Sequence, residues 1–318
     1  MSAPIVAALG GGHGLSATLS ALRLLTDEIT AIVTVADDGG SSGRLREEFS
    51  VLPPGDIRMA LSALCADSEW GQTWRDVLQH RFPGDGPLAG HAVGNLLIVA
   101  LWDLHDDPVA GLDLVGRLLH ARGRVLPMAA VPLTIEAEVV GLDAAAPERV
   151  RRVTGQAKVA VTEGLVSRIR LLPEDPPAYP ESVAAVRSAD WVIVGPGSWF
   201  TSVMPHLLVP ELREALTVTR AGRVLVLNLE PGTGETRGFS AIQHLETFID
   251  LAPEVRFDYV LVDPAVVEDE AELDSACRRI GARPHIVPVA ARHTAGVHDP
   301  LRLAAAFQDV FTAPRERR

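Results

Sequence analysis

Short apolar runs alternate with amphipathic stretches along most of the chain. Residues 5–9 and 29–36 are apolar runs of strand length, and leucines recur at helical spacing over residues 15–25 between them. Further strands are predicted at 189–194, 223–228, 258–263 and 286–289. Strands that alternate with helices predict an α/β fold: a three-layer αβα, Rossmann-like, doubly wound and mostly parallel sheet with right-handed crossovers.

One stretch departs from this rhythm. Residues 133–140, 153–161 and 166–171 alternate apolar and polar positions, which is typical of half-exposed strands. We therefore predict an antiparallel β excursion over residues 125–172 within a single α/β domain that spans residues 1–312. A closing helix is predicted near 300–311, and residues 313–318 are predicted to be a flexible tail.

Composition narrows the classes of function. The 318 residues carry a net charge of −12 with 47% hydrophobic positions, which argues against a nucleic-acid or membrane-surface binder. No apolar run reaches the roughly 18 residues of a membrane span. Cys65 and Cys277 lie far apart and have no zinc spacing, so they suit a reducing compartment, and we expect a cytoplasmic protein. A homo-oligomer is left open.

The first glycine turn follows the first predicted strand and precedes a helix. Its residues are Gly10, Gly11, Gly12, His13 and Gly14. A helix N-terminus beside a chain without Cβ atoms suits a phosphate or diphosphate. Leu15 and Ser16 replace the Lys and Ser/Thr of a P-loop, and Leu15 also replaces the third glycine of the dinucleotide fingerprint. His13 either contacts a ligand or faces solvent.

A second polar segment follows the next strand. Asp37 and Asp38 are adjacent carboxylates, and together they could hold Mg²⁺ through oxygen ligands while the ion bridges phosphates. Glycines and hydroxyls after them favour an irregular turn before a helix that starts near Gly43. The candidate ligand-binding residues of this segment are Asp37, Asp38, Gly39, Gly40, Ser41, Ser42 and Arg44.

Two pairs of polar residues extend the candidate site. Asp56 and Arg58 follow a Pro-Pro-Gly turn; Asp56 either caps the helix that starts there or binds a ligand, while Arg58 is misplaced at a helix N-terminus unless an anion is near. His91 and Asn95 are four residues apart and would share one face of a helix. A buried structural histidine is the alternative interpretation of His91.

Two later glycine turns follow predicted strands at Gly195-Pro-Gly-Ser198 and at residues 229–236. Because the carboxyl ends of parallel strands meet at one edge of a sheet, we expect all four turns to converge there. From these turns the candidates are Gly195, Gly197, Ser198, Asn228 and Thr233. Ser198 lacks the second glycine of a nucleophile elbow, and the ten histidines form no zinc spacing.

Taken together, the quoted stretches resemble the YvcK-type gluconeogenesis factors of the CofD-like superfamily. Most specific is Val33-Thr-Val-Ala-Asp-Asp-Gly-Gly-Ser-Ser-Gly-Arg-Leu-Arg46. His13 and Met59 replace a threonine and an asparagine that are usual in the family. The other stretches that carry the resemblance are residues 10–16, 53–58, 90–96, 195–198 and 298–300.

The resemblance implies a Rossmann-like fold that binds a UDP-sugar such as UDP-N-acetylglucosamine. It also implies a role in cell shape and in allocation of wall precursors during growth on gluconeogenic carbon. The related CofD transferases use Mg²⁺ and a guanine nucleotide to move a phospholactate unit onto a deazaflavin.

Three hypotheses follow from the sequence. The preferred one is a regulator that binds a UDP-sugar or another nucleoside diphosphate without turnover, with no cofactor beyond Mg²⁺. The alternative is a Mg²⁺-dependent phosphoryl or nucleotidyl transferase, with Asp37, Asp38 and His91 as catalytic candidates and Arg44 or Arg58 neutralising developing charge. A nicotinamide oxidoreductase is the third.

Overall fold

A computed structural model of the protein describes residues 3–229 and 234–313. Thr233 and residues 314–318, which carry two of the predictions above, lie outside the described residues. The main sheet of the described residues has seven strands, and every pair of neighbours is parallel. Its strands are β1 (Val6–Gly10), β2 (Ile29–Val33), β3 (Arg124–Pro127), β7 (Trp191–Val194), β8 (Gly222–Val226), β9 (Tyr259–Val262) and β10 (Arg283–Ile286).

The order of these strands is β10-β9-β8-β7-β1-β2-β3. From β1 the chain moves outward through β2 to β3, and from β7 it moves outward in the opposite direction. The direction therefore reverses between β1 and β7, and right-handed crossovers then place helices on both faces of the sheet. This arrangement confirms the predicted α/β fold class.

Twelve α-helices surround the sheet in the described part of the chain. On one face α1 packs against α3 and α12, and elsewhere α8 packs against α9 and α10 against α11. Their bounds are α1 (Gly12–Leu22), α2 (Gly40–Phe49), α3 (Pro54–Ala63), α4 (Glu69–Gln79), α5 (Val93–Leu104), α6 (Pro108–Leu118), α7 (Gln156–Ala160), α8 (Pro180–Ser188), α9 (Pro210–Val218), α10 (Ala241–Leu251), α11 (Glu270–Arg279) and α12 (Pro300–Thr312).

The excursion forms a separate antiparallel sheet. It contains β4 (Thr134–Val140), β5 (Arg151–Thr154) and β6 (Leu165–Leu172), in the order β5-β4-β6. Its burial alternates along β4, as period-two patterning requires. The predicted range of 125–172 is too long at its start, because β3 pairs in parallel with β2 and belongs to the main sheet.

Helix α2 begins earlier than the sequence predicts. The expected irregular turn ends at Gly40 rather than Gly43, since the carbonyl oxygen of Gly39 already accepts the N–H of Gly43 at 2.9 Å. Ser41 and Ser42 are therefore helical and buried, and both of their hydroxyl groups take part in hydrogen bonds.

Neither cysteine of the chain is in a disulfide, and both are buried. Burial raises the pKa of the Cys65 thiol to about 11. In the described ranges, no helix is both long enough and apolar enough to cross a bilayer.

Candidate functional site

A cavity of about 430 Å³ lies at the carboxyl ends of β1 and β7, where the strand order reverses. In open α/β sheets this reversal point is where ligands bind. The walls come from the first turn, the third and fourth turns, helix α7 of the excursion and a loop before α12. The described lining residues are Gly11, Gly12, His13, Gly14, Ala17, Asp56, Gln156, Ala160, Pro196, Gly197, Ser198, Ser202, Asn228, Leu229, Glu235, Thr236, Gly296, Val297 and His298.

The first and third glycine turns touch each other on the floor of the cavity. A Cβ atom on Gly14 would lie 2.2 Å from the carbonyl oxygen of Pro196, and one on Gly11 would lie 2.5 Å from the Thr34 methyl group. Gly12 has φ +55°, a conformation that favours glycine. The N-cap of helix α1 is Gly11, which has no side chain to accept the first N–H groups of the helix, and residues Gly12, His13 and Gly14 line the cavity there.

Asp56 lies directly below the first turn. It does not cap its own helix, because α3 begins at Pro54 with Pro53 as N-cap, and its carboxylate instead accepts the N–H of Gly12 in α1. Burial, with the nearby charge of Asp37, raises the pKa of Asp56 to about 7. Its Oδ2 atom is buried without a hydrogen-bond partner.

Asn228 joins the third and fourth turns. Its Oδ1 accepts the N–H of Gly197 and its Nδ2 donates to the carbonyl oxygen of Gly197, both at 3.0 Å. Gly195 has φ +77°, and its carbonyl oxygen accepts the Thr18 hydroxyl at 3.0 Å. Asn228 thus lines the cavity as predicted, but its amide fixes the glycine turn.

Gln156, Glu235 and His298 are among the polar residues of the cavity that sequence reasoning missed. Glu235 is 3% exposed, its Oε1 accepts the N–H of Phe200 at 3.0 Å, and burial raises its pKa to about 7. Burial lowers the pKa of His298 to about 4. Gln156 is the first residue of α7. Each has a buried side-chain atom without a partner: Glu235 Oε2, His298 Nε2 and Gln156 Oε1.

The aspartate pair lies outside this lining, and its two carboxyl groups accept hydrogen bonds from different segments. Asp37 Oδ1 accepts the N–H of Gly39 at 2.9 Å, and burial raises the pKa of Asp37. Asp38 Oδ1 instead accepts the N–H of Ala157 at 2.9 Å, at the start of α7. Asp38 also borders an open depression of about 850 Å³ with Gly40 and with exposed Arg44, which donates to the Ala89 carbonyl at 2.7 Å.

The positions of Asp37 and Asp38 also bear on the predicted Mg²⁺ site. The described residues contain no group of three or more His, Cys, Asp or Glu side chains that could hold a metal ion. Asp37 and Asp38 accept N–H groups of different segments, while burial and, to a lesser extent, the charge of Asp38 raise the pKa of Asp37, so Mg²⁺ binding by this pair stays a prediction. Asp37 does adjoin Asp56, whose pKa its charge raises, and Asp56 has a free carboxyl oxygen.

Four other predicted residues form a buried network behind the cavity. The Ser41 hydroxyl pairs with His91 Nδ1 at 3.0 Å and accepts from Asn95 Nδ2 at 3.0 Å. Arg58 Nε donates to Asn95 Oδ1 at 2.9 Å, and its Nη1 donates to Gln79. None of the four lines the cavity, and burial with the charge of Arg81 lowers the pKa of Arg58 to about 10.

The predicted helical face of His91 and Asn95 is wrong. Helix α5 starts at Val93, with Ala92 as N-cap, and His91 precedes it. Gly90 has φ +74°, and Arg81 bridges to Ala92, which holds this segment extended. The two side chains nevertheless meet at Ser41. Burial and the neighbouring Arg44 lower the pKa of His91.

The fold and the cavity define a doubly wound α/β protein with a ligand site at its strand reversal. The family model described as "2-phospho-L-lactate transferase CofD" matches residues 6–293. A crystal structure of a UPF0052 family member from Bacillus halodurans superposes with TM-score 0.84 at 32% identity, covering 97% of this chain and 99% of that one.

Curated relatives narrow the family further. A relative from Mycobacterium leprae is 53% identical over 97% of this chain and 86% of its own length. Proteins named gluconeogenesis factor from Listeria innocua and Bacillus subtilis are 38% and 37% identical, over 97% and 86% of this chain and 89% and 84% of their own lengths. The chain belongs to the gluconeogenesis factor family of the CofD-like superfamily, which confirms the resemblance read from the sequence.

Proposed function

We propose that this protein is a regulator that binds a nucleoside diphosphate sugar, of the UDP-N-acetylglucosamine type, in the 430 Å³ cavity. The observation that carries the proposal is the convergence of the first and third glycine turns at the strand reversal. Gly14 lies so close to Pro196 that the two turns form one continuous backbone surface.

The chemistry of this surface suits a diphosphate. The first residues of α1 line the cavity, and helix N-termini favour anions. Glycine at positions 11 and 14 lets the first turn pack closely on Thr34 and Pro196, which fixes the position of its backbone beside the cavity. The cavity volume is within the range of roughly 300–1,000 Å³ that small-molecule sites occupy.

The biological role that we propose is the control of cell shape and of wall-precursor allocation during growth on gluconeogenic carbon, in the cytoplasm. It is supported by membership of the gluconeogenesis factor family. A UDP-sugar is a wall precursor, so a protein that senses its concentration would link carbon supply to wall synthesis.

Calorimetric titration tests the binding step. UDP-N-acetylglucosamine, GDP and NAD⁺ are each titrated into the full chain with and without Mg²⁺, and the ligands are then analysed for products. We expect the UDP-sugar to bind and to be recovered unchanged. Binding of NAD⁺ alone, or of none of the three, would contradict the proposal.

A Mg²⁺-dependent phosphoryl or nucleotidyl transferase is the second candidate. Two cavity carboxyl groups, those of Asp56 and Glu235, have pKa values of about 7, which suits proton transfer near neutral pH. Asp37 and Asp56 are the neighbouring carboxylates that would hold the ion. Metal-dependent formation of a product in the same titration would favour this candidate over the regulator.

A further inference from the structure

The cavity of the proposed function has two chemically different ends. At one end lie the backbone N–H groups of α1 and the glycine turns. At the other lie Glu235 and Gln156, whose side chains present buried polar atoms without partners. A buried polar atom of this kind costs free energy unless a ligand or a water molecule forms a hydrogen bond with it.

Glu235 is held rigidly with one oxygen to spare. Its Oε1 accepts the N–H of Phe200 at 3.0 Å, and the Thr201 hydroxyl and the N–H groups of Thr201 and Trp199 also stabilise the carboxylate. Its Oε2 is buried and unpaired. A fixed carboxyl group with one unused oxygen is suited to accept a hydrogen bond from a ligand.

Gln156 faces the same space from the excursion. A Cβ atom on Gly234 would lie 2.1 Å from the carbonyl oxygen of Ala160, so α7 packs directly on the segment that carries Glu235. The Oε1 atom of Gln156 is buried without a partner. The excursion and the fourth turn therefore build one wall together.

Charge decides which part of a ligand this wall can hold. The described lining residues include two acidic side chains and no lysine or arginine. The carboxyl group of Glu235 is a good acceptor for hydroxyl groups. The described lining also has no Phe, Tyr or Trp on which a base would stack.

We propose that Glu235, supported by Gln156, selects the sugar of the bound nucleotide by accepting hydrogen bonds from its hydroxyl groups. This rests on the proposed function and adds its specificity-determining residues. The side-chain amide of Asn228, a candidate ligand-binding residue from the sequence, is bonded to Gly197 instead.

The test compares UDP-N-acetylglucosamine with UDP by calorimetry at pH 8 for the full chain and for Glu235→Gln. The glutamine keeps an oxygen for the Phe200 N–H, so the turn is retained, but it replaces the carboxylate oxygen with an amide nitrogen. We expect affinity for the UDP-sugar to fall about tenfold while affinity for UDP changes less than about twofold.

Two further variants complete the test. Gln156→Ala is expected to weaken UDP-sugar binding by about threefold to tenfold and to leave UDP binding unchanged. Glu163→Gln, an exposed position just after α7, is the matched control and should change neither ligand by more than about twofold.

Three results would overturn the proposal. They are equal losses for UDP and the UDP-sugar in Glu235→Gln, no loss for either, or wild-type protein that binds UDP as tightly as the UDP-sugar. Failure of wild-type protein to bind either nucleotide would instead remove the proposed function itself.

Discussion

Two polar regions of this protein contain residues that the sequence nominates for ligand binding, and they differ in how their hydrogen bonds are used. In the network of Ser41, Arg58, His91 and Asn95, each side chain pairs with another at the distances described. In the cavity, buried atoms of Asp56 and Glu235 have no partner. Polar residue types alone therefore do not separate a binding site from its structural support.

The difference teaches which polar groups are available to a ligand. A satisfied buried network stabilises and orients the backbone, because each donor meets an acceptor. An unpaired buried carboxyl oxygen beside glycine turns is available to a ligand. The network holds α2, α3 and α5 together, and α3 in turn presents Asp56 to the cavity.

The largest expected effect comes from the contact between the two glycine turns. Gly14→Ala would place a methyl group 2.2 Å from the Pro196 carbonyl oxygen, so the turns must separate. We expect a loss of about 3 kcal/mol in the free energy of unfolding, and loss of nucleotide binding. Thermal unfolding and calorimetry measure both effects.

Gly116→Ala is the control for that change. Gly116 lies inside α6, and a Cβ atom there meets nothing within 4 Å. This variant should be stabilised by up to about 1 kcal/mol through helix propensity. Equal behaviour of the two variants would show that the contact between the turns does not matter.

Asn95→Ala tests the hydrogen-bond network of Ser41, Arg58, His91 and Asn95. It would leave Arg58 Nε and the Ser41 hydroxyl without their partner, at an expected cost of about 2 kcal/mol in the free energy of unfolding. Nucleotide affinity at a temperature where the variant is folded should stay within about twofold of wild type, since Asn95 does not line the cavity. A large loss of affinity without a loss of stability would place Asn95 in the site.

The carboxyl group of Glu235 should affect how the free energy of unfolding depends on pH. The pKa of Glu235 is about 7 in the folded protein and near 4.5 when unfolded, so the folded state holds the proton more tightly between these values. Stability should therefore fall as pH rises from 4.5 to 7.

Glu235→Gln should flatten that part of the profile, which urea unfolding at several pH values would measure. Asp56 has a raised pKa in the same range and will continue to contribute in this variant. An identical slope in wild type and Glu235→Gln would mean that Glu235 titrates normally in the folded protein.

The smallest expected effect concerns Asp38. Its carboxylate accepts the N–H of Ala157 and so anchors α7 of the excursion. We expect Asp38→Ala to cost about 1 kcal/mol, comparable to loss of a helix cap, and to speed hydrogen exchange in α7. Unchanged exchange in α7 would remove this structural role.

Much of the fold is predictable because it rests on local pattern. The apolar run before Asp37 and the glycine turn after Leu9 mark strands β2 and β1, and burial of both strand faces explains their continuous hydrophobicity. The predicted start of the excursion is too early, because the four residues of β3 give too short a pattern to distinguish a parallel edge strand from the excursion that follows.

The site is predictable only in part, since its walls join distant segments. The first turn and Asn228 were identified from their position after strands. Gln156 gave no signal, because its place in the cavity depends on how the excursion folds back against Asp38. Of the two interpretations of Asp56, helix capping is wrong, because its carboxylate accepts the N–H of Gly12 in another helix.

A crystal structure of the protein with UDP-N-acetylglucosamine tests the central claim most directly. We predict electron density for two phosphates over the N–H groups of His13 and Gly14, with the sugar beside Glu235. Density for the nucleotide in the open depression near Arg44, or at the Ser41 network, would contradict it.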